Sequence, residues 1–171
     1  MLFRSEACMQ WIMHNSSAQL VFADGVSSHK CLRLLPYLGQ LHTLKINRLE
    51  AQALTGANVL SAAQAIAAAQ SLCRRGVGNV VVSLGSDGVC WSTGNDHGHL
   101  AAIEVDVVSS NGAGDALMAG LVHGALAGWP LEQSERFANA CAALTLTGSR
   151  ANHPELSEAR ASRLLTEHSA G

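Results

Sequence analysis

No stretch of about 18 consecutive apolar residues occurs in this chain, so no segment reads as a bilayer-spanning helix. No long basic run occurs either. The 11 Lys and Arg against 13 Asp and Glu leave a net charge of −2, which points away from nucleic acid as a partner. The opening Met1-Leu2-Phe3-Arg4-Ser5-Glu6 has an acidic residue and no long apolar core, so it is a poor secretory leader. The 5 cysteines (Cys8, Cys31, Cys73, Cys90, Cys141) are odd in number, scattered and without a Cys-x-x-Cys pair. That usage fits reduced, mostly buried thiols in a cytoplasmic protein and gives zinc no ligand set. His97-Gly98-His99 is a close histidine pair in a turn with no cysteine nearby, so no metal is expected there.

What is present is a chain of 171 residues, 48% of them hydrophobic, long enough for one domain with a sizeable core. Its most informative stretch is Ser109-Ser110-Asn111-Gly112-Ala113-Gly114-Asp115-Ala116-Leu117-Met118-Ala119-Gly120. Gly112, Ala113 and Gly114 let backbone approach a ligand closely. A helix then begins, and its first free N–H groups with the positive end of its dipole suit an anion, above all a phosphate. Asp115, in the first turn, is a candidate proton acceptor beside that cradle. An Asp there is also favoured by the helix dipole alone. The loop is not a P-loop, because no Gly-Lys-Ser/Thr follows. Nor is it the dinucleotide fingerprint, which needs Gly-x-Gly-x-x-Gly and an acidic residue about twenty positions on.

Taken in order, residues 5–15 read as a helix and Leu20-Val21-Phe22-Ala23 as a buried strand. Ser27 or Ser28 can cap a helix to about Tyr37, with Leu32, Leu35 and Leu38 roughly along one face. Leu41-His42-Thr43-Leu44 is a second strand. Asn47 starts the next helix, and Glu50 three residues on completes a capping-box pattern. Lys45 reads as a solvated side chain or as one facing an anion. Ser61 caps an alanine-rich helix to about Arg75. Val80-Val81-Val82-Ser83-Leu84 is a continuous β-branched run between helices, the pattern of a parallel sheet covered on both faces. Gly85-Ser86-Asp87-Gly88 is a tight turn before the strand Val89-Cys90-Trp91-Ser92. Residues 94–98 read as a polar turn and residues 99–108 as a strand region with partial alternation. The helix from the Gly112 loop runs to about Gly128. Gly120, Gly124 and Gly128 recur on one face, where another element approaches closely. A further helix spans 131–147 and a last one 157–167. The order gives an α/β fold with a mostly parallel sheet flanked by helices, and sites in such sheets lie at the carboxyl ends of strands.

Gly112-Ala113-Gly114-Asp115 followed by Ala119-Gly120-Leu121-Val122 resembles the C-terminal signature of the ribokinase-like (PfkB) carbohydrate kinases. Ser109-Ser110 stands where that family usually has Asp-Thr. The resemblance implies that the amides of Gly112, Ala113 and Gly114 form an anion hole for the transferred phosphoryl group, with Asp115 the catalytic base. Asn47-x-x-Glu50 resembles the family's Asn-x-x-Glu, which implies that Asn47 lies at the nucleotide and that Glu50 serves magnesium through water. Ser83, Gly85, Ser86 and Gly88 resemble a segment that lies along the nucleotide, and Asn139 matches a position near adenine. The usual monovalent-cation loop departs here at Ser109, Arg150 and Pro154. Within the family, His42-Thr43-Leu44-Lys45, residues 136–143 and residues 152–157 are most similar to the pseudouridine kinase group.

The likeness spans residues 18–160 and corresponds to the family's C-terminal half. The N-terminal half, with its lid and most sugar contacts, has no counterpart in the sequence. The implied partners are ATP with Mg2+ and a small sugar or nucleoside whose hydroxyl is phosphorylated, not nucleic acid or a membrane. The alternative is a truncated, inactive fragment that binds nucleotide or a partner, with an exposed sheet edge inviting pairing into a homodimer.

Overall fold

The computed structural model describes residues 6–169; residues 1–5, where the segment read as a poor secretory leader begins, lie outside the described part. The elements are α1 (Glu6–Asn15), β1 (Phe22–Asp24), a 3-10 helix (Cys31–Gln40), β2 (Thr43–Asn47), α2 (Arg48–Thr55), α3 (Ala62–Arg74), β3 (Asn79–Ser83), a short 3-10 turn (Gly85–Asp87), β4 (Val89–Ser92), β5 (His97–Leu100), α4 (Ala113–Leu126), α5 (Leu131–Leu146) and α6 (Glu158–Ser169). The sheet has 5 strands in the order β1-β2-β3-β4-β5. The chain divides into 2 compact units, one up to Val82 with residues 92–96, the other residues 83–91 with residues from His97 on.

In the first unit, β1 and β2 run parallel, with Phe22 opposite Thr43, Ala23 opposite Leu44 and Asp24 opposite Lys45. Val80, Val81 and Val82 of β3 are fully buried. That is the burial a continuous apolar run needs, since consecutive strand residues point to opposite faces. α2 is held by a complete capping box: Asn47 Oδ1 accepts from Glu50 N at 3.0 Å, and Glu50 Oε2 accepts from Asn47 N at 2.8 Å. It stops at Gly56, whose φ of 72° is the left-handed cap a glycine supplies without strain. Ser61 caps α3, which buries Ala65, Ala68, Ala69 and Leu72.

One expected helix takes a different form. Residues 31–40 wind as a 3-10 helix with Pro36 inside. Proline lacks the N–H for an α-helical bond and crowds the carbonyl four residues back, which favours the tighter winding. With three residues per turn, Cys31, Leu34 and Tyr37 share a buried face, Leu38 is buried beside Tyr37, and Leu32 is exposed.

In the second unit, α4 and α5 form a close antiparallel pair. A Cβ at Gly120 would sit 2.5 Å from Ala138 Cα, and one at Gly124 would collide with Ser134 Oγ. Glycine at these positions lets the backbones meet. Trp129 and Phe137 pack edge to face at 5.5 Å, and His123 stacks on Phe137 at 5.0 Å, closing the turn between the helices. Ile103, Ala116, Phe137, Ala140, Cys141, Ala143 and Ala161 form a buried cluster that α6 completes with Leu164 and Leu165. Residues 101–107 form no ladder; β5 ends at Leu100, and the alternation beyond it comes from packing on this cluster. All of the cysteines are free, with Cys31, Cys90 and Cys141 buried. Among the described residues, no helix is long and apolar enough to cross a membrane.

Glu135 on α5 is fully buried, and both of its carboxyl oxygens lack a hydrogen-bond partner. Desolvation raises its pKa well above the ordinary 4.5. The folded state therefore keeps a proton that the unfolded chain releases, and stability falls as pH rises above about 4.5. Urea denaturation at stepped pH is expected to show this fall, by up to about 1.4 kcal/mol per pH unit, until the folded carboxyl ionises. Glu135→Leu is expected to be more stable than the parent at pH 8 and to lose that slope.

Candidate functional site

Gly112 caps α4 with φ 83° and ψ −8°, a left-handed conformation, and a Cβ there would collide with the Ala151 carbonyl oxygen. Only glycine satisfies both constraints. The cap contributes no side-chain hydrogen bond to the helix. The first N–H groups of α4 thus remain available to an outside acceptor. The approach to the loop is fixed by Val108 N and Ser109 N, which donate to Leu146 O at the end of α5 at 2.8 and 3.2 Å. Asp115 is exposed in the first turn of α4, where the helix dipole favours a carboxylate.

Beside this helix start lies a cavity of about 880 Å³, a size suited to a small organic ligand. It lies wholly within the second unit. One wall is Ser83 and the turn, through Gly85, Ser86 and Gly88. Gly85 and Gly88 both have positive φ, 67° and 88°, and Leu84 N donates to Gly88 O at 2.8 Å to close the turn. A second wall is the extended segment after β5, with Ala101, Ala102 and Ile103. The third comprises Ala113, Gly114 and Leu117 of α4 with Asn139, Ala142 and Leu146 of α5. The surface is mostly apolar, with polar groups at the turn and at Asn139. Asn139 Nδ2 donates to Ala101 O at 2.8 Å.

The structure therefore gathers Ser83, Gly85, Ser86, Gly88, Ala113, Gly114 and Asn139 around one cavity, and Gly112 and Asp115 belong to the helix start that borders it. Asn47 and Glu50 belong to the first unit. Glu50 is buried, and burial raises its pKa above the ordinary 4.5, with the Asp24 charge adding to the rise. Lys45 is not solvated: its Nζ lies 2.8 Å from Asp24 Oδ2, and its side chain is 9% exposed. Among the described residues, no group of three His, Cys, Asp or Glu side chains could hold a metal ion. A magnesium ion held mainly by a ligand's own phosphates needs fewer protein groups; Glu50 is 2% exposed, with Oε2 accepting from Asn47 N. Sequence reasoning named Asn139 but missed the wall at residues 101–107 that it ties. Their signal was an alternation indistinguishable from that of a paired strand.

Residues 4–158 match the family model of the pfkB family carbohydrate kinases. The chain is 38% identical over 162 residues to pseudouridine kinase of Escherichia coli K12, which covers 94% of this chain and 52% of that protein. It is 35% identical over 118 residues to Escherichia coli 1-phosphofructokinase, covering 69% of this chain and 36% of the other. The structure of Arabidopsis thaliana ribokinase complexed with ribose and ATP superimposes with a TM-score of 0.72 at 25% identity, covering 85% of this chain and 47% of that one. The chain belongs to the PfkB carbohydrate kinase family and has its ribokinase-like α/β fold. It spans about half the length, or less, of these relatives.

Gly112→Ala tests the helix start. The substitution meets both a left-handed backbone and the Ala151 carbonyl, and should cost about 1–3 kcal/mol. Gly128, with φ 73° and open space around it, is the control. Denaturation curves should show Gly128→Ala less destabilised than Gly112→Ala by a clear margin.

Proposed function

We propose that this chain is the nucleotide-binding and catalytic half of an ATP-dependent kinase that phosphorylates a hydroxyl of a small sugar or nucleoside in the cytoplasm. The observation that carries this reading is the cavity of about 880 Å³, in which the Gly85–Asp87 turn, Gly88, Asn139 and the start of α4 meet. An apolar slot beside a free helix N-terminus accommodates a flat base at one end and an anionic phosphate chain at the other. Pseudouridine kinase, among the relatives, supports a nucleoside acceptor, and 1-phosphofructokinase a sugar phosphate.

In this reading Ser83, Gly85, Ser86 and Gly88 lie along the nucleotide, with Asn139 at the base end. The amides at Gly112, Ala113 and Gly114 receive the transferred phosphoryl oxygens. Asp115 accepts the proton of the substrate hydroxyl, the hydroxyl oxygen bonds to the γ-phosphorus, and the bond to the bridging oxygen breaks with its electron pair leaving on ADP. Magnesium, when bound, neutralises charge on the β- and γ-phosphates. Within the first unit, Asn47 N donates to the Glu50 carboxylate and fixes it; the family resemblance assigns that carboxylate to magnesium through water. A second reading is nucleotide or partner binding without turnover.

Calorimetric titration with magnesium and a non-hydrolysable ATP analogue tests the proposal. The parent chain should bind. Gly114→Asp, which puts a carboxylate into the anion site, should abolish binding while leaving a cooperative melt. Asp115→Asn should keep near-parental affinity and lower sugar or nucleoside phosphorylation by about a hundredfold or more. Loss of affinity and turnover together in Asp115→Asn would contradict the base assignment. Binding with no phosphorylation by the parent would favour the second reading.

A further inference from the structure

Two walls of the cavity lack regular secondary structure to hold them. The turn is a single 3-10 winding over Gly85–Asp87, and residues 101–107 pair with no strand. Beside the turn's own bonds, from Leu84 N to Gly88 O and from Gly88 N to Gly85 O, each wall has a main-chain carbonyl that a side chain reaches. His99, on β5, reaches the Asp87 carbonyl oxygen with Nε2 at 2.6 Å. Asn139, on α5, donates Nδ2 to the Ala101 carbonyl oxygen at 2.8 Å. A carbonyl only accepts, so His99 Nε2 carries the proton and one N–H of Asn139 is committed to the protein. The His99 contact is satisfied by the neutral Nε2–H ring and by the imidazolium alike. The two ties lie close in sequence, at residues 99 and 101, where the main chain leaves β5. There Gly88 is pressed against the same strand end: a Cβ on it would collide with Leu100 O and lie 2.7 Å from Ala102 N.

We infer that His99 and Asn139 are positioning residues, which hold the turn and the 101–107 segment in place as preformed walls for the base and do not themselves read it. This rests on the nucleotide reading of the cavity. Without a tie, a wall samples other positions and must be ordered by the ligand at the cost of affinity. One hydrogen bond of about 1 kcal/mol corresponds to roughly fivefold in binding. The loss falls on binding of any base, because the walls serve its faces.

The test is calorimetric titration of the parent, His99→Ala, His99→Gln, Asn139→Ala and Asn139→Asp with magnesium and the non-hydrolysable analogues of ATP and GTP, alongside ligand-free melts. His99→Ala and Asn139→Ala should each weaken both analogues by roughly fivefold, with the ratio between the two analogues and the ligand-free melting temperature little changed. His99→Gln retains a donor and should restore affinity. Asn139→Asp keeps an acceptor oxygen but loses the NH2, so it should bind as weakly as Asn139→Ala. Parental affinity in Asn139→Asp, or a change in the ATP-to-GTP ratio, would show that Asn139 reads the base directly and would overturn its positioning role. Parental affinity in both alanine variants would overturn the proposal as a whole. A parent chain that binds neither analogue would contradict the nucleotide reading itself and remove this proposal with it.

Discussion

A side chain has no room at Gly112. Its backbone is left-handed and lies against the Ala151 carbonyl, and the helix start at the candidate site follows from that contact. The chain must turn sharply there, so α4 begins at Ala113 with its leading amides uncapped and Asp115 in the first turn. Two hydrogen bonds to Leu146 O fix the entry to the turn. The close approach of α4 to α5 at Gly120 and Gly124 fixes the direction in which the helix leaves. A helix N-terminus anchored at both ends is preorganised, and preorganised dipoles stabilise developing charge without rearranging at the moment of reaction.

Polar groups elsewhere show how burial shapes chemistry in this protein. Asn47 and Glu50 satisfy each other in the capping box, which offsets part of the rise in pKa that burial imposes on Glu50. Lys45 is buried because Asp24 neutralises it at 2.8 Å. Glu135 has no such partner and pays for burial by holding its proton. The distinction is between carboxylates whose burial a partner offsets and one whose oxygens have no hydrogen-bond partner.

Much of this was legible in the sequence, for identifiable reasons. β3 announced itself through consecutive β-branched residues, α2 through Asn47 and Glu50, and α4 through the small residues of its cap. The 3-10 winding of residues 31–40 was not legible as such, because Leu32, Leu35 and Leu38 imitate an α-helical stripe; only Leu38 of these is buried, with Cys31, Leu34 and Tyr37. Residues 101–107 alternate as a strand does, yet line a cavity. The ties from His99 and Asn139 to carbonyls left no trace, since any residue supplies a carbonyl. Nor does anything in Ser134-Glu135-Arg136 mark the central residue as buried: glutamate is ordinarily a surface residue.

The central claim is that the cavity takes a nucleotide whose phosphate chain ends at the start of α4. A crystal structure of the chain soaked with magnesium and a non-hydrolysable ATP analogue tests it most directly. The account predicts the base between the Gly85–Asp87 turn and α5, and terminal phosphate oxygens within hydrogen-bond distance of the amides at residues 112–115. A phosphate chain bound elsewhere, with those amides contacting only water, would contradict it.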